Sequence, residues 1–104
     1  MEIDWNEGTA ASRRDPAQGG ENLVTTWKIW ARHEYGSLMK AYEAVNDAWD
    51  GMATINNISR WERGTRRIPP HVINHMIGQL LPVLMAESSD PTFIQARLRL
   101  PQGG

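Results

Sequence analysis

The chain has 104 residues, 40% of them hydrophobic, with no cysteine and a formal net charge of -1. That length allows a single domain with a small core, a size at which a partner subunit adds useful stability, and the lack of cysteine excludes disulfides and thiolate metal sites and fits a reducing, cytoplasmic setting. No apolar run approaches the roughly 20 residues of a membrane span, and the acidic start lacks the apolar core of a secretory signal, so no membrane contact is expected.

Charge is unevenly spread. Residues 1–22 carry Glu2, Asp4, Glu7, Asp15 and Glu21 against Arg13 and Arg14, whereas Arg60, Arg63, Arg66 and Arg67 have only Glu62 among them. An acidic start therefore masks a locally basic stretch. Residues 1–21, with Gly8, Pro16, Gly19 and Gly20 and no sustained apolar period, are expected to form a flexible N-terminal tail in which Trp5 stands alone, loosely packed or exposed, with docking on the domain as the alternative. Arg13 and Arg14 in this tail are either solvated or an arm for a minor groove.

The first helix is expected over 23–35. Asn22 is a suitable N-cap, Leu23, Trp27, Trp30 and Ala31 recur at helical spacing, and Gly36 is a natural stop. The Trp stripe reads as core rather than a stacking platform. Ser37 then caps a second helix from 38 to about 46, with Leu38, Ala41, Tyr42 and Val45 on one face. Residues 46–53 break the period and contain acids and Gly51, which predicts a turn with Trp49 folded back onto the core. A third helix follows from Thr54 to about Arg63 and ends at Gly64.

Pro69 and Pro70 open a fourth helix, the most apolar of the set, which Pro82 is expected to kink or split. Met39, Met52, Met76 and Met85 are expected to fill core gaps. In 91–100, Asp90-Pro91 is a good helix start, but the alternation of Ile94, Ala96, Leu98 and Leu100 has the period of a strand. A short helix is favoured; a strand would offer an edge for pairing two copies. The expected organisation is a tail over 1–21, a helical domain over 22–88, and a C-terminal segment over 89–104 that is a candidate dimerisation element.

The stretch 54–69 carries the chemistry. Ile58 and Trp61 are three apart and can both face a core, while Asn56, Asn57, Arg60 and Arg63 project elsewhere. Asn suits adenine and Arg suits guanine in a major groove. Arg63, Arg66 and Arg67 suit phosphates, which add affinity and salt dependence without sequence information. An ordinary amphipathic helix with a solvated arginine loop is the alternative for this stretch. Glu62 is expected to pair with an arginine or to offset their charge. His71 and His75 are spaced i, i+4, but without Cys or a matching acid no metal site is expected, and His75 reads as a packed side chain. Nor is there a Gly-rich phosphate loop or a nucleophile arrangement around Ser59 with His71 or His75, so no enzyme and no cofactor are expected.

Thr54, Ile58, Trp61, Glu62, Gly64 and Pro69 resemble, in kind and spacing, the helix-turn-helix of the lambda-repressor and Cro (XRE-type) family. The resemblance covers the third helix and its following loop without a gap. It implies an all-α, four- to five-helix lambda-repressor-like domain that binds double-stranded DNA as a homodimer, a transcription regulator of phage or mobile-element repressor type. Carried over residue by residue, base-reading positions fall on Ile55, Asn56 and Arg60, with Asn57 beside them. The phosphate-binding loop falls on Arg63, Thr65, Arg66 and Arg67, and the helix starts at Ser37 and Thr54 are further phosphate positions. The family joins its second and third helices by a short turn, with a small residue ten positions before the Ile. Here that position is Ala48; if Ala41 is the small residue instead, the connection is about seven residues longer. The alternative function on the same fold is a protein-interaction module (antitoxin, anti-repressor or host-takeover protein) that does not bind DNA.

Overall fold

The computed structural model describes residues 3, 5 and 22–101. These residues form five helices and no strand: α1 (Leu23–Tyr35), α2 (Leu38–Val45), α3 (Ile55–Arg63), α4 (Pro70–Glu87) and α5 (Pro91–Arg97). Among the described residues, no helix is long and apolar enough to cross a membrane.

α1 is the central element and packs against α2, α3 and α4. Its first nine residues are buried apart from Lys28, because neighbours cover it on several sides rather than along one stripe. The Asn22 side-chain oxygen accepts from the amides of Val24 (2.9 Å) and Thr25 (3.3 Å), and Gly36 closes the helix at φ 91°, a left-handed conformation that costs glycine little. The Leu23 amide, an orphan donor at the helix start, bonds the carbonyl of Arg99 at 2.6 Å. The C-terminal segment thus folds back onto the beginning of the domain.

Trp27, Trp49 and Trp61 fill the centre. The Trp49 ring lies 4.9 Å from that of Trp27 and 5.9 Å from that of Trp61, and all three are buried. The expectation that Trp49 returns to the core is met. Trp5 is buried in the same core, so the alternative of docking on the domain holds over a loosely packed or exposed indole, and Ile3 also packs against this core. Burying one indole removes a large apolar area from water. The remainder of the expected tail, including Arg13 and Arg14, lies outside the described residues.

α4 runs unbroken through Pro82 rather than splitting there. Val72, Met76, Leu80 and Leu84, four apart, form its buried row and hold both halves of the helix on one core. The methionines divide: Met76 is buried, whereas Met39 and Met85 are 55% and 59% exposed and fill no core gap. Residues 91–97 are helical, so the strand alternative and its edge-to-edge pairing fall away. Asp90 caps the Thr92 amide at 3.0 Å with Pro91 at the first helical position. Phe93, Ile94 and Leu98 then pack on the core, and a lone strand would have had no ladder to join among the described residues.

Candidate nucleic-acid interface

α3 is short, and its position depends on its caps and on α1. Thr54 Oγ1 accepts from the Asn57 amide at 3.1 Å, and Gly64 at φ 76° ends the helix while the amides of Gly64 and Thr65 return to the carbonyls of Trp61 and Arg60. Ile58 and Trp61 are the buried face. Glu62 Oε1 accepts from Lys28 Nζ at 2.9 Å, Glu62 Oε2 accepts from Thr25 Oγ1 at 2.9 Å, and the Glu62 carbonyl accepts from Asn22 Nδ2 at 2.9 Å. This corrects the expectation that Glu62 pairs with an arginine. Its carboxylate faces α1, and the arginine face is left without that counter-charge. Asn22 therefore acts at two helix ends, capping the start of α1 and holding a carbonyl in the last turn of α3.

At 100° per residue, Asn56, Arg60 and Arg63 lie on the side of α3 opposite Ile58 and Trp61. All three are exposed, as are Ile55, Arg66 and Arg67. Among the described residues, none of the four guanidiniums of Arg60, Arg63, Arg66 and Arg67 makes an ion pair or a side-chain hydrogen bond; the charged contacts near them are Lys28–Glu62 and, at the start of α4, His71–Asp50 at 3.1 Å. Arg60 and Arg63 also sit in the last turn of α3, where positive charge complements the helix dipole.

Two of the expected site residues each spend a proton on a backbone carbonyl. Asn57 Nδ2 donates to the Met52 carbonyl at 3.1 Å, and the side chain is half-buried, off the Asn56–Arg60–Arg63 stripe. One of the two Nδ2 protons is spent on that carbonyl, which fixes the side chain beside the start of α3 and leaves the second proton and Oδ1 to other partners. Thr65 Oγ1 gives its proton to the Arg60 carbonyl at 3.2 Å, within the turn that ends α3. Thr54 Oγ1 and Ser37 Oγ accept from backbone amides, the latter from Lys40 at 3.2 Å, and each hydroxyl keeps its proton to donate.

The nine residues 46–54 between α2 and α3 are longer than the three to four of a compact helix-turn-helix. The chain continues turning after Val45, with the Trp49 amide bonded to the Val45 carbonyl at 3.0 Å, and then reverses at Asp50 (φ 54°) and Gly51 (φ 78°). Asn46 Oδ1 accepts the Ala53 amide at 3.2 Å and closes the loop. Ala41 is fully buried and Ala48 is exposed, so the small core residue of α2 is Ala41 and the connection is the longer one. A groove of about 690 Å³ lies between α2 and the start of α3, lined by Met39, Tyr42, Glu43, Asn46, Ile55 and Asn56 among others.

The connection is fastened to α4. Trp49 Nε1 donates to His75 Nδ1 at 2.7 Å, and Asp50 meets His71. One turn further along α4, Gln79 accepts from Trp27 Nε1 at 2.9 Å. Burial first, and the Glu62 carboxylate second, push the Tyr42 phenol up to about 12. No group of three or more metal-ligating side chains occurs among the described residues. No protein-family model, curated protein or solved structure matches the chain.

Proposed function

We propose that the protein is a sequence-specific DNA-binding regulator of the lambda-repressor and Cro type, which lays α3 in the major groove and binds as a dimer. The observation that carries this is the stripe of Asn56, Arg60 and Arg63 opposite the buried face of α3, continued by Arg66 and Arg67, with no acidic partner among the described residues. Free guanidiniums on the outer face of a well-capped helix suit base edges, and those of the following loop suit phosphates. Ile55 is exposed at the helix start, where it can meet a thymine methyl. Ser37 and Thr54 bring two helix starts, each with a hydroxyl proton to donate, as further phosphate contacts.

Selection of bound sequences from a random duplex pool tests this. Enrichment of a near-palindromic site with half-sites about one DNA turn apart is the expected result; a pool unchanged after selection at low salt overturns it.

The groove between α2 and α3, and the nine-residue connection that opens it, favour a second reading: a protein-interaction module on the same fold. Its exposed Met39 and Ile55 flank an apolar trough with Glu43 on its lining, a surface suited to a helix or loop of another protein. In that case substitution of Met39 abolishes partner capture, and the random pool shows no enrichment.

A further inference from the structure

We infer that the pocket behind the arginine loop is a binding site for a small carboxylate with an apolar body. The loop leaves α3 at Gly64, carries Arg66 and Arg67 on the surface, buries Ile68 and enters α4 through Pro69. Between this loop, the first turn of α4 and the C-terminal segment lies a cavity of about 240 Å³. Arg66 and Arg67 are its charged lining; Ile68, Ile73, Leu100 and Pro101 are its apolar lining. The C-terminal wall is pinned by the bond from the Leu23 amide to the Arg99 carbonyl, next to Leu100 and Pro101. Leu100 is nonetheless 49% exposed, an open apolar side chain beside two open cations.

The lining selects the ligand. None of these residues is acidic, and neither guanidinium has an ion-pair partner among the described residues. Two adjacent cations without a counter-ion attract an anion, and each guanidinium offers a planar fork that matches a carboxylate. α4 starts here without a side-chain cap, so its dipole adds positive potential nearby. Inorganic phosphate would use the charge but leave Ile73 and Leu100 in water. A neutral apolar molecule would leave the arginines unused. A carboxylate on a single ring or short chain uses both, and the cavity, equivalent to roughly eight waters, has that size. Arg66 and Arg67 are also phosphate contacts in the function proposed above, so an occupied pocket competes with DNA. That consequence rests on the proposed function, whereas the pocket does not.

Benzoate is the probe, titrated into the isotope-labelled full chain without DNA and at constant ionic strength. The amide resonances of Arg67, Ile73 and Leu100 are expected to shift saturably, with a dissociation constant on the order of 1 mM. Arg67→Gln and Leu100→Ser should each raise that constant at least about fivefold, and Lys40→Gln, on α2, should leave it unchanged. All three side chains are exposed, and matching thermal midpoints verify that the fold is kept. Four results overturn the site: no saturable shift, benzyl alcohol or inorganic phosphate binding as tightly as benzoate, wild-type affinity in both pocket variants, or Lys40→Gln weakening binding as much as Arg67→Gln. In a second arm, saturating benzoate is expected to weaken duplex binding at least about threefold against an equal concentration of chloride; no change overturns the competition with DNA. A chain that binds benzoate but no duplex keeps the site and refutes the function proposed above.

Discussion

Trp49 Nε1 donates to Nδ1 of His75 across 2.7 Å, with the two rings edge to face. One end of this bond is in the long connection before α3 and the other is in α4, so it holds the element that presents α3 against the most apolar helix of the domain. His75→Phe keeps ring volume but leaves a buried indole N–H without an acceptor. It is expected to lower the unfolding free energy by about 1–3 kcal/mol. Combined with Trp49→Phe, the loss should fall short of the sum of the single changes by about 1 kcal/mol, since the second substitution removes the orphaned donor. Urea denaturation followed by far-UV circular dichroism measures all four corners of the cycle.

Arg60 and Arg66 are both exposed and have no ion-pair partner among the described residues, yet they should fail differently. Arg60 lies on the outer stripe of α3, and Arg60→Ala is expected to cost about 1–3 kcal/mol at the preferred site and to relax base preference there. Arg66 lies in the loop, and Arg66→Ala should weaken binding to all duplexes alike and reduce the slope of log affinity against log salt by about one. Titrations of a selected duplex and a scrambled one, at several salt concentrations, separate the two. Equal effects from both variants would place Arg60 on phosphate rather than on bases.

Tyr42 gives the domain an alkaline limit. Its phenol is pushed up from 10.0 to about 12 by burial and by the Glu62 carboxylate, so the folded chain keeps this proton after the unfolded chain has lost it. Its neutral form is present in both states below pH 10 and adds no pH dependence there. Between about pH 10 and 12 the unfolded state is progressively favoured, and this stability is lost as pH rises through the folded value. In a Tyr35→Phe background Tyr42 is the remaining tyrosine. Its tyrosinate absorbance should appear near pH 12 in the folded protein and near pH 10 in urea; one common midpoint would refute the buried placement.

Trp5 is 7% exposed. Trp5→Ala is therefore expected to destabilise the domain by about 1.5–3 kcal/mol, whereas a solvated indole would leave the thermal midpoint unmoved. Calorimetric melting of the two full-length chains decides between these outcomes.

The helix ends were legible because each depends on a few adjacent residues. Asn22, Ser37 and Thr54 cap as their side chains suggest, and Gly36 and Gly64 stop their helices in the left-handed region. The buried pair Ile58 and Trp61, and the outward Asn56, Arg60 and Arg63, follow from helical spacing alone. The C-terminal segment was ambiguous because alternation over 93–100 has two valid readings. The Asp90 cap and the core face offered to Phe93, Ile94 and Leu98 favour the helix.

Sequence by itself determined where α1 to α4 begin, which face of α3 is apolar, and that four arginines cluster after Ser59, since caps and periodicity act within one or two turns. Tertiary structure decided the rest. Glu62 turns to Lys28, 34 residues away, instead of to its arginine neighbours. Asn57 and Thr65 give their donors to backbone carbonyls, Trp5 finds the core, and Arg99 caps Leu23. Each of these depends on where a group ends up once the backbone has closed, and for Glu62, Trp5 and Arg99 the group that competes for the side chain or carbonyl is remote in sequence. The same closure leaves the guanidiniums of α3 and its loop facing outward without a partner among the described residues, which turns a basic stretch of sequence into a surface.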